Sequence, residues 1–256
     1  MCQDLDSHPP IPPIAGAAVD GGKVILTARD GTLFSGFGAV PEGHTGAGVV
    51  ILPDVRGLHP FYEELALRFA EAGIAALAID YYGRTAGTGR RGDEFDHGQH
   101  VTQARYQNLL EDIAVARIEL VERSPSRAVF IIGFCFGGRL SFLTATRPEL
   151  GLSGVIGFYG AVAGPGRGGT PAPLDLSGQF RAPVLGLFGG ADQGIPPESI
   201  EAFGRSLTVA GVDNELVTYP GAPHSFFDRK AAAFAEASTD AWRRVLEFVG
   251  RHTPPS

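Results

Sequence analysis

The 256-residue chain is 44% hydrophobic and 19% charged, and its 21 Lys+Arg against 28 Asp+Glu leave a net charge of −7. That supports a sizeable core, in one large domain or two small ones. It argues against a mainly electrostatic nucleic-acid partner. Two cysteines cannot build a disulfide framework, and no apolar run approaches the roughly 20 residues that cross a bilayer.

The opening, MCQDLDSHPPIPP, is acidic and proline-rich, without the basic-then-apolar order of a secretory signal. With Cys2 in this segment, a reduced, cytoplasmic setting is expected. Met1–Pro13 reads as an extended arm, 14–252 as one domain and 253–256 as a tail, because proline is excluded from helix interiors and central strands.

Lys23–Ala28 and Thr32–Ala39 are expected to form a hairpin around Asp30-Gly31. Gly48–Leu52 is a continuous apolar run, as in a strand buried on both faces. Phe61–Ala72 places Phe61, Leu65, Phe69 and Ala72 at helical spacing. Ile74–Ile79 is the next buried strand. A long helix is expected from about Val101 to Arg123, with Leu109, Ile113, Ala116 and Leu120 on one face. Then come strand Ala128–Gly133, helix Gly138–Arg147, strands Gly154–Tyr159 and Pro183–Gly189, helix Pro197–Ala210, strand Glu215–Tyr219 and helix Ala231–Arg251. Buried strands alternating with helices predict a mostly parallel sheet covered on both faces. Two Gly-rich stretches, Gly83–Gly98 and Gly160–Gly178, interrupt the pattern. Function in such folds sits beyond the carboxyl ends of the strands.

After AVFIIG comes Gly133-Phe134-Cys135-Phe136-Gly137-Gly138. Small residues two positions either side of a nucleophile fit a sharp strand-to-helix turn. A helix N-terminus there favours a thiolate. The opposing reading is a buried structural cysteine. Asp192 follows the strand ending at Gly189, and His224 follows the strand ending at Tyr219. The order Cys135, Asp192, His224 is nucleophile, acid, base, and each member follows its own strand. An oxyanion hole is expected from the N–H of Phe136 and that of Val55, beyond the GVVIL strand.

GFCFGG at Cys135, GGAD at Asp192, PGAPHSF at His224, LPDVRGLHPFYEELA and IDYYGR together resemble the dienelactone hydrolases. The resemblance runs from about Val49 to Phe248. It implies an α/β-hydrolase fold, a Cys-His-Asp triad, and hydrolysis of an enol lactone, other lactones or esters; no cofactor motif appears in the sequence, and none is expected. It also implies that an acidic residue after the early strand gates the thiol; Asp54 stands there, where the family usually has Glu. Arg84, in Asp80-Tyr81-Tyr82-Gly83-Arg84, falls at the family's substrate-carboxylate arginine. A second such arginine lies four residues after the histidine; here that position is Asp228, and Arg229 comes one later.

Tyr82 and Tyr159 begin active-site loops and are candidates to line a substrate pocket. Arg90 and Arg91 read as solvated loop residues, and His97 and His100 lack a third anchor for a metal. The expected partner is a small lactone or ester, anionic ones included, with no nucleic acid and no membrane, on a monomer or homodimer. A general carboxylesterase and a catalytically silent ligand-binding fold are the alternatives.

Overall fold

The computed structural model describes residues 7–14, 19–92 and 94–255. Cys2, most of the first half of the expected arm, and Ser256 of the tail lie outside the described residues. Ser7–Ile14 has no helix or strand; Pro9 is buried and the Ser7 hydroxyl donates to Asp228 Oδ1 at 2.9 Å.

Eight strands form one sheet: β1 (Val19–Thr27), β2 (Leu33–Pro41), β3 (Ala47–Leu52), β4 (Ala75–Ile79), β5 (Ala128–Phe134), β6 (Gly154–Phe158), β7 (Val184–Gly189) and β8 (Asn214–Tyr219). Their order is β1-β2-β4-β3-β5-β6-β7-β8. The hairpin β1–β2 is antiparallel, and β2 meets β4 antiparallel. From β4 to β8 every pairing is parallel. The sequence shows the division: β2 alternates in burial, whereas β3 to β7 are buried at every position. Uniform burial requires cover on both faces, which the helices supply.

The helices are α1 (Pro60–Glu71), α2 (Gly83–Ala86), α3 (His97–Gln103), α4 (Tyr106–Arg123), α5 (Phe136–Thr144), α6 (Pro197–Val209) and α7 (Ala235–Arg251). α1 buries Phe61, Leu65 and Phe69, each contributing about 1.5–3 kcal/mol by leaving water. Phe69 meets Trp242 of α7 edge-on, with ring centroids 4.8 Å apart.

The single helix expected over Val101–Arg123 is two. Ala104 and Arg105 adopt extended ψ values of 146° and 125° between α3 and α4. No glycine or proline marks this break. It lets α3 settle on the turn Arg167–Gly169, where a Cβ on Gly168 would lie 3.4 Å from the Ala104 carbonyl oxygen. The Gly160–Gly178 stretch is built from 3-10 turns, Arg167–Gly169 and Pro173–Gln179.

Candidate active site

β5 runs into α5 through Cys135, whose φ of 55° and ψ of −110° lie where side chains are strained. α5 thus starts at Phe136, two residues before the helix start expected from the sequence. The flanking glycines make this turn possible. A Cβ on Gly133 would lie 1.9 Å from the Gly137 carbonyl oxygen, and one on Gly137 would lie 2.1 Å from that of Leu52. The Cys135 N–H is fixed by the Phe158 carbonyl at 3.0 Å. The sulfur therefore stands at the first turn of α5, where the helix dipole favours negative charge.

Asp192 and His224 arrive on two loops that are tied together. Gly190 N–H donates to the Tyr219 carbonyl at 2.8 Å, and Ala191 N–H to that of Ala222 at 2.9 Å. Gly189 is required here, because a Cβ would lie 2.4 Å from the Ala222 carbonyl oxygen. His224 Nδ1 lies 2.6 Å from Asp192 Oδ2, which leaves Nε2 for the sulfur. Burial pushes the His224 imidazole down, but hydrogen bonds to Asp192 and Cys135 outweigh it and raise its pKa to about 10. The arrangement places the His224 ring between the Asp192 carboxylate and the Cys135 sulfur.

Cys135, His224, Phe136, Val55 and Tyr159 line one cavity of about 230 Å³. The amides of Phe136 and Val55 have no acceptor among the described residues, so both are available to an oxyanion. Tyr82 lies behind this surface, fully buried, and its hydroxyl donates to the Val55 carbonyl at 2.5 Å. Tyr159 has a positive φ of 38° and packs its ring 4.9 Å from that of His224. The site thus brings the three triad candidates, both oxyanion candidates and Tyr159 together, with Tyr82 as a support.

The other sequence candidates stand elsewhere. Arg84 does not line the cavity. Its Nη1 and Nη2 hold the carboxylate of Asp112 on α4 at 2.5 and 3.0 Å, and its Nε holds Asp30 at 2.8 Å. The guanidinium expected at a substrate carboxylate is engaged by two carboxylates of the protein itself. Asp54 faces Arg56, whose Nε lies 3.0 and 2.9 Å from its two oxygens. Burial alone would raise the Asp54 carboxyl, but Arg56 outweighs it and holds it low. Arg229 also lies off the cavity lining; its Nη2 donates to Ser225 Oγ at 3.1 Å. Arg91, expected in solvent, is buried on Asp80 at 2.8 Å, whereas Arg90 is exposed.

Four residues passed over as site candidates matter here. Arg56 also reaches Asp228 at 2.8 Å, closing a buried Asp54–Arg56–Asp228 cluster beside the site. Burial raises the Asp228 carboxyl more than Arg56 lowers it. Arg139 and Arg167 line the cavity. Arg139 was visible in GFCFGGR, but no motif gave it a role.

Residues 34–253 match the profile of the dienelactone hydrolase family. A protein named "Putative carboxymethylenebutenolidase" from Yersinia pestis is 31% identical over 240 residues, covering 84% of this chain and 82% of the relative. A protein of the same name from Methylorubrum extorquens is 31% identical over 238 residues, covering 90% and 81%. Among solved structures, a "Putative Dienelactone Hydrolase" from Klebsiella pneumoniae superposes with a TM-score of 0.80 at 27% identity, covering 91% of this chain and 99% of that one. An acylaminoacyl peptidase of Pyrococcus horikoshii shares the fold alone, with a TM-score of 0.74 at 16% identity over 42% of its length. With its sheet order, its strand-to-helix elbow and a profile match over most of its length, the chain is an α/β-hydrolase-fold enzyme and belongs to the dienelactone hydrolase family.

Proposed function

We propose that the protein hydrolyses lactones or activated carboxylic esters through an acyl-enzyme on Cys135. The observation that carries this reading is the chain Cys135–His224–Asp192, whose 2.6 Å His–Asp contact and raised His224 pKa go with an imidazolium paired to a thiolate. The sulfur attacks the carbonyl carbon, and the amides of Phe136 and Val55 receive the oxyanion. As the tetrahedral centre collapses, the C–O bond breaks and the departing enolate or alkoxide oxygen takes the proton from His224, leaving the imidazole neutral. Water then attacks the thioester, giving its proton to the now neutral His224, and the sulfur leaves as thiolate.

A thiolate is a better leaving group than an alkoxide or an amine anion. The tetrahedral intermediate therefore reverts unless the departing group is itself activated. The reading predicts turnover of enol lactones and aryl esters, with little amidase activity. The test is hydrolysis of 4-nitrophenyl butyrate by wild type and by Cys135→Ala. Loss of turnover in the variant is expected; retained turnover removes Cys135 from the mechanism. No helix among the described residues is long and apolar enough to cross a membrane.

A further inference from the structure

Among the described residues, the cavity above Cys135 is lined by two arginines and by no carboxylate. Arg139, nearly fully buried, is engaged by the backbone. Its Nη1 donates to the carbonyls of Ala161 and Ala163 at 3.1 and 3.2 Å, and its Nη2 to those of Gly164 and Thr170 at 2.6 and 3.2 Å. These bonds fasten the loop after β6 over the nucleophile. The loop is tightly wound. A Cβ on Gly166 would lie 2.0 Å from Thr170 Oγ1, and Gly168 and Gly169 adopt φ of 63° and 72°.

Arg167 stands at the tip of this loop. Its side chain is exposed, lines the same cavity, and makes no hydrogen bond or ion pair among the described residues. The Tyr82 phenol is raised chiefly by burial, with Asp80 and Asp54 adding, but the charges of Arg91 and Arg167 oppose the rise. The Tyr82 hydroxyl holds the Val55 carbonyl, and Val55 and Arg167 line the same cavity. The remaining lining is largely apolar, including Phe136, Tyr159 and Ile195. The volume of about 230 Å³ is below the ~300–1,000 Å³ of drug-sized sites, so short substrates are favoured.

We propose that Arg167 is a specificity-determining residue that binds the carboxylate of a small anionic ester or lactone whose carbonyl lies over Cys135. The loop fastened by Arg139 is its platform. A guanidinium fork suits a carboxylate, and no acid among the described residues lines the cavity. This inference rests on the reading of Cys135 as nucleophile.

The test compares two activated esters of matched length, mono-4-nitrophenyl succinate and 4-nitrophenyl butyrate, in wild type, Arg167→Gln and Arg167→Glu. The ratio of kcat/KM for succinate over butyrate is expected to fall about tenfold in Arg167→Gln, as for loss of one charged hydrogen bond. It is expected to fall further in Arg167→Glu. Arg90→Gln, at an exposed arginine outside the cavity, leaves the ratio at the wild-type value. An unchanged ratio in the Arg167 variants overturns the proposal. If neither ester shows Cys135-dependent turnover, the function reading fails separately. Arg167 is then judged by calorimetry of succinate binding to Cys135→Ala. Binding weakened by adding Arg167→Gln supports it; absent or unaltered binding overturns it.

Discussion

His224 Nδ1 lies 2.6 Å from Asp192 Oδ2, while Asp192 Oδ1 accepts the Gly194 N–H at 2.9 Å. The carboxylate is held from both sides and in turn fixes the ring so that Nε2 meets the sulfur of Cys135. His224 is thus raised by two partners, and the two can be separated. In the proposed acyl-enzyme the sulfur is an uncharged thioester, so one of the two supports disappears and the imidazole is neutral at lower pH, free to take a proton from water.

Cys135→Ala reproduces that loss without substrate. Burial lowers the His224 pKa and remains in the variant; the contribution of Cys135 is gone. The imidazole is expected to titrate well below about 10, as read by NMR of the ring protons. The sign for stability follows. A folded-state value above the ordinary 6.5 favours the folded chain in its protonated form. That stabilisation is complete below pH 6.5 and is lost as pH rises through about 10. In Cys135→Ala the loss moves to lower pH. A ring that still titrates near 10 removes the thiolate from the pair.

Tyr82 is expected to act on the proposed reaction through Val55. Its hydroxyl, 2.5 Å from the Val55 carbonyl, anchors the loop whose amide faces the oxyanion. Tyr82→Phe keeps the buried ring and deletes one hydrogen bond, so a stability loss of about 1 kcal/mol is expected. The larger expected effect is on kcat, about tenfold with KM little changed, since the oxyanion exists only in the transition state. Equal changes in kcat and KM for 4-nitrophenyl butyrate would remove Tyr82 from this role.

The sheet and the strand ends that carry the three triad candidates were legible because their signals are local. The uninterrupted apolar runs of β3 to β7 carry their own burial, and Gly133, Gly137 and Gly189 sit where backbones nearly touch. What pairs across the chain was not legible. Arg84 falls at the family's substrate-binding position, yet its partner Asp112 lies 28 residues on, turned inward from α4. Arg56 and Asp228 are 172 residues apart, so a charge cluster formed between them has no sequence pattern. Arg91 is polar in a Gly-rich loop, and only the fold reveals that Asp80 buries it. The break at Ala104 answers to the loop that α3 covers, not to a local stop signal.

The elbow glycines make a sharp contrast with glycine elsewhere. Gly137→Ala would set a Cβ 2.1 Å from the Leu52 carbonyl oxygen, so β3 or α5 must move. The expected cost is about 3 kcal/mol, the upper range for overpacking, with hydrolysis lost because β3 leads into the loop that carries Val55. Gly250→Ala places its Cβ in open space near the end of α7 and is expected to stabilise by about 0.5–1 kcal/mol through helix propensity. Urea denaturation reads both. A Gly137→Ala protein as stable and active as wild type would show that the elbow tolerates a side chain.

Arg84 gives the clearest separation of structural from substrate roles. Its guanidinium is bound to Asp112, which is 2% exposed, and to Asp30, which is 46% exposed. Burial raises the Asp112 carboxyl even with Arg84 present, so removing the arginine strands a carboxylate that has little access to water. Arg84→Ala is expected to cost about 3 kcal/mol, as for a broken buried pair, and to lower the urea midpoint accordingly. Pairing Arg84→Met with Asp112→Leu removes both charges and is expected to recover most of the loss. The succinate-to-butyrate ratio of kcat/KM should stay at the wild-type value in the double variant, because Arg84 stands off the cavity. A fall in that ratio with stability restored would return Arg84 to the substrate.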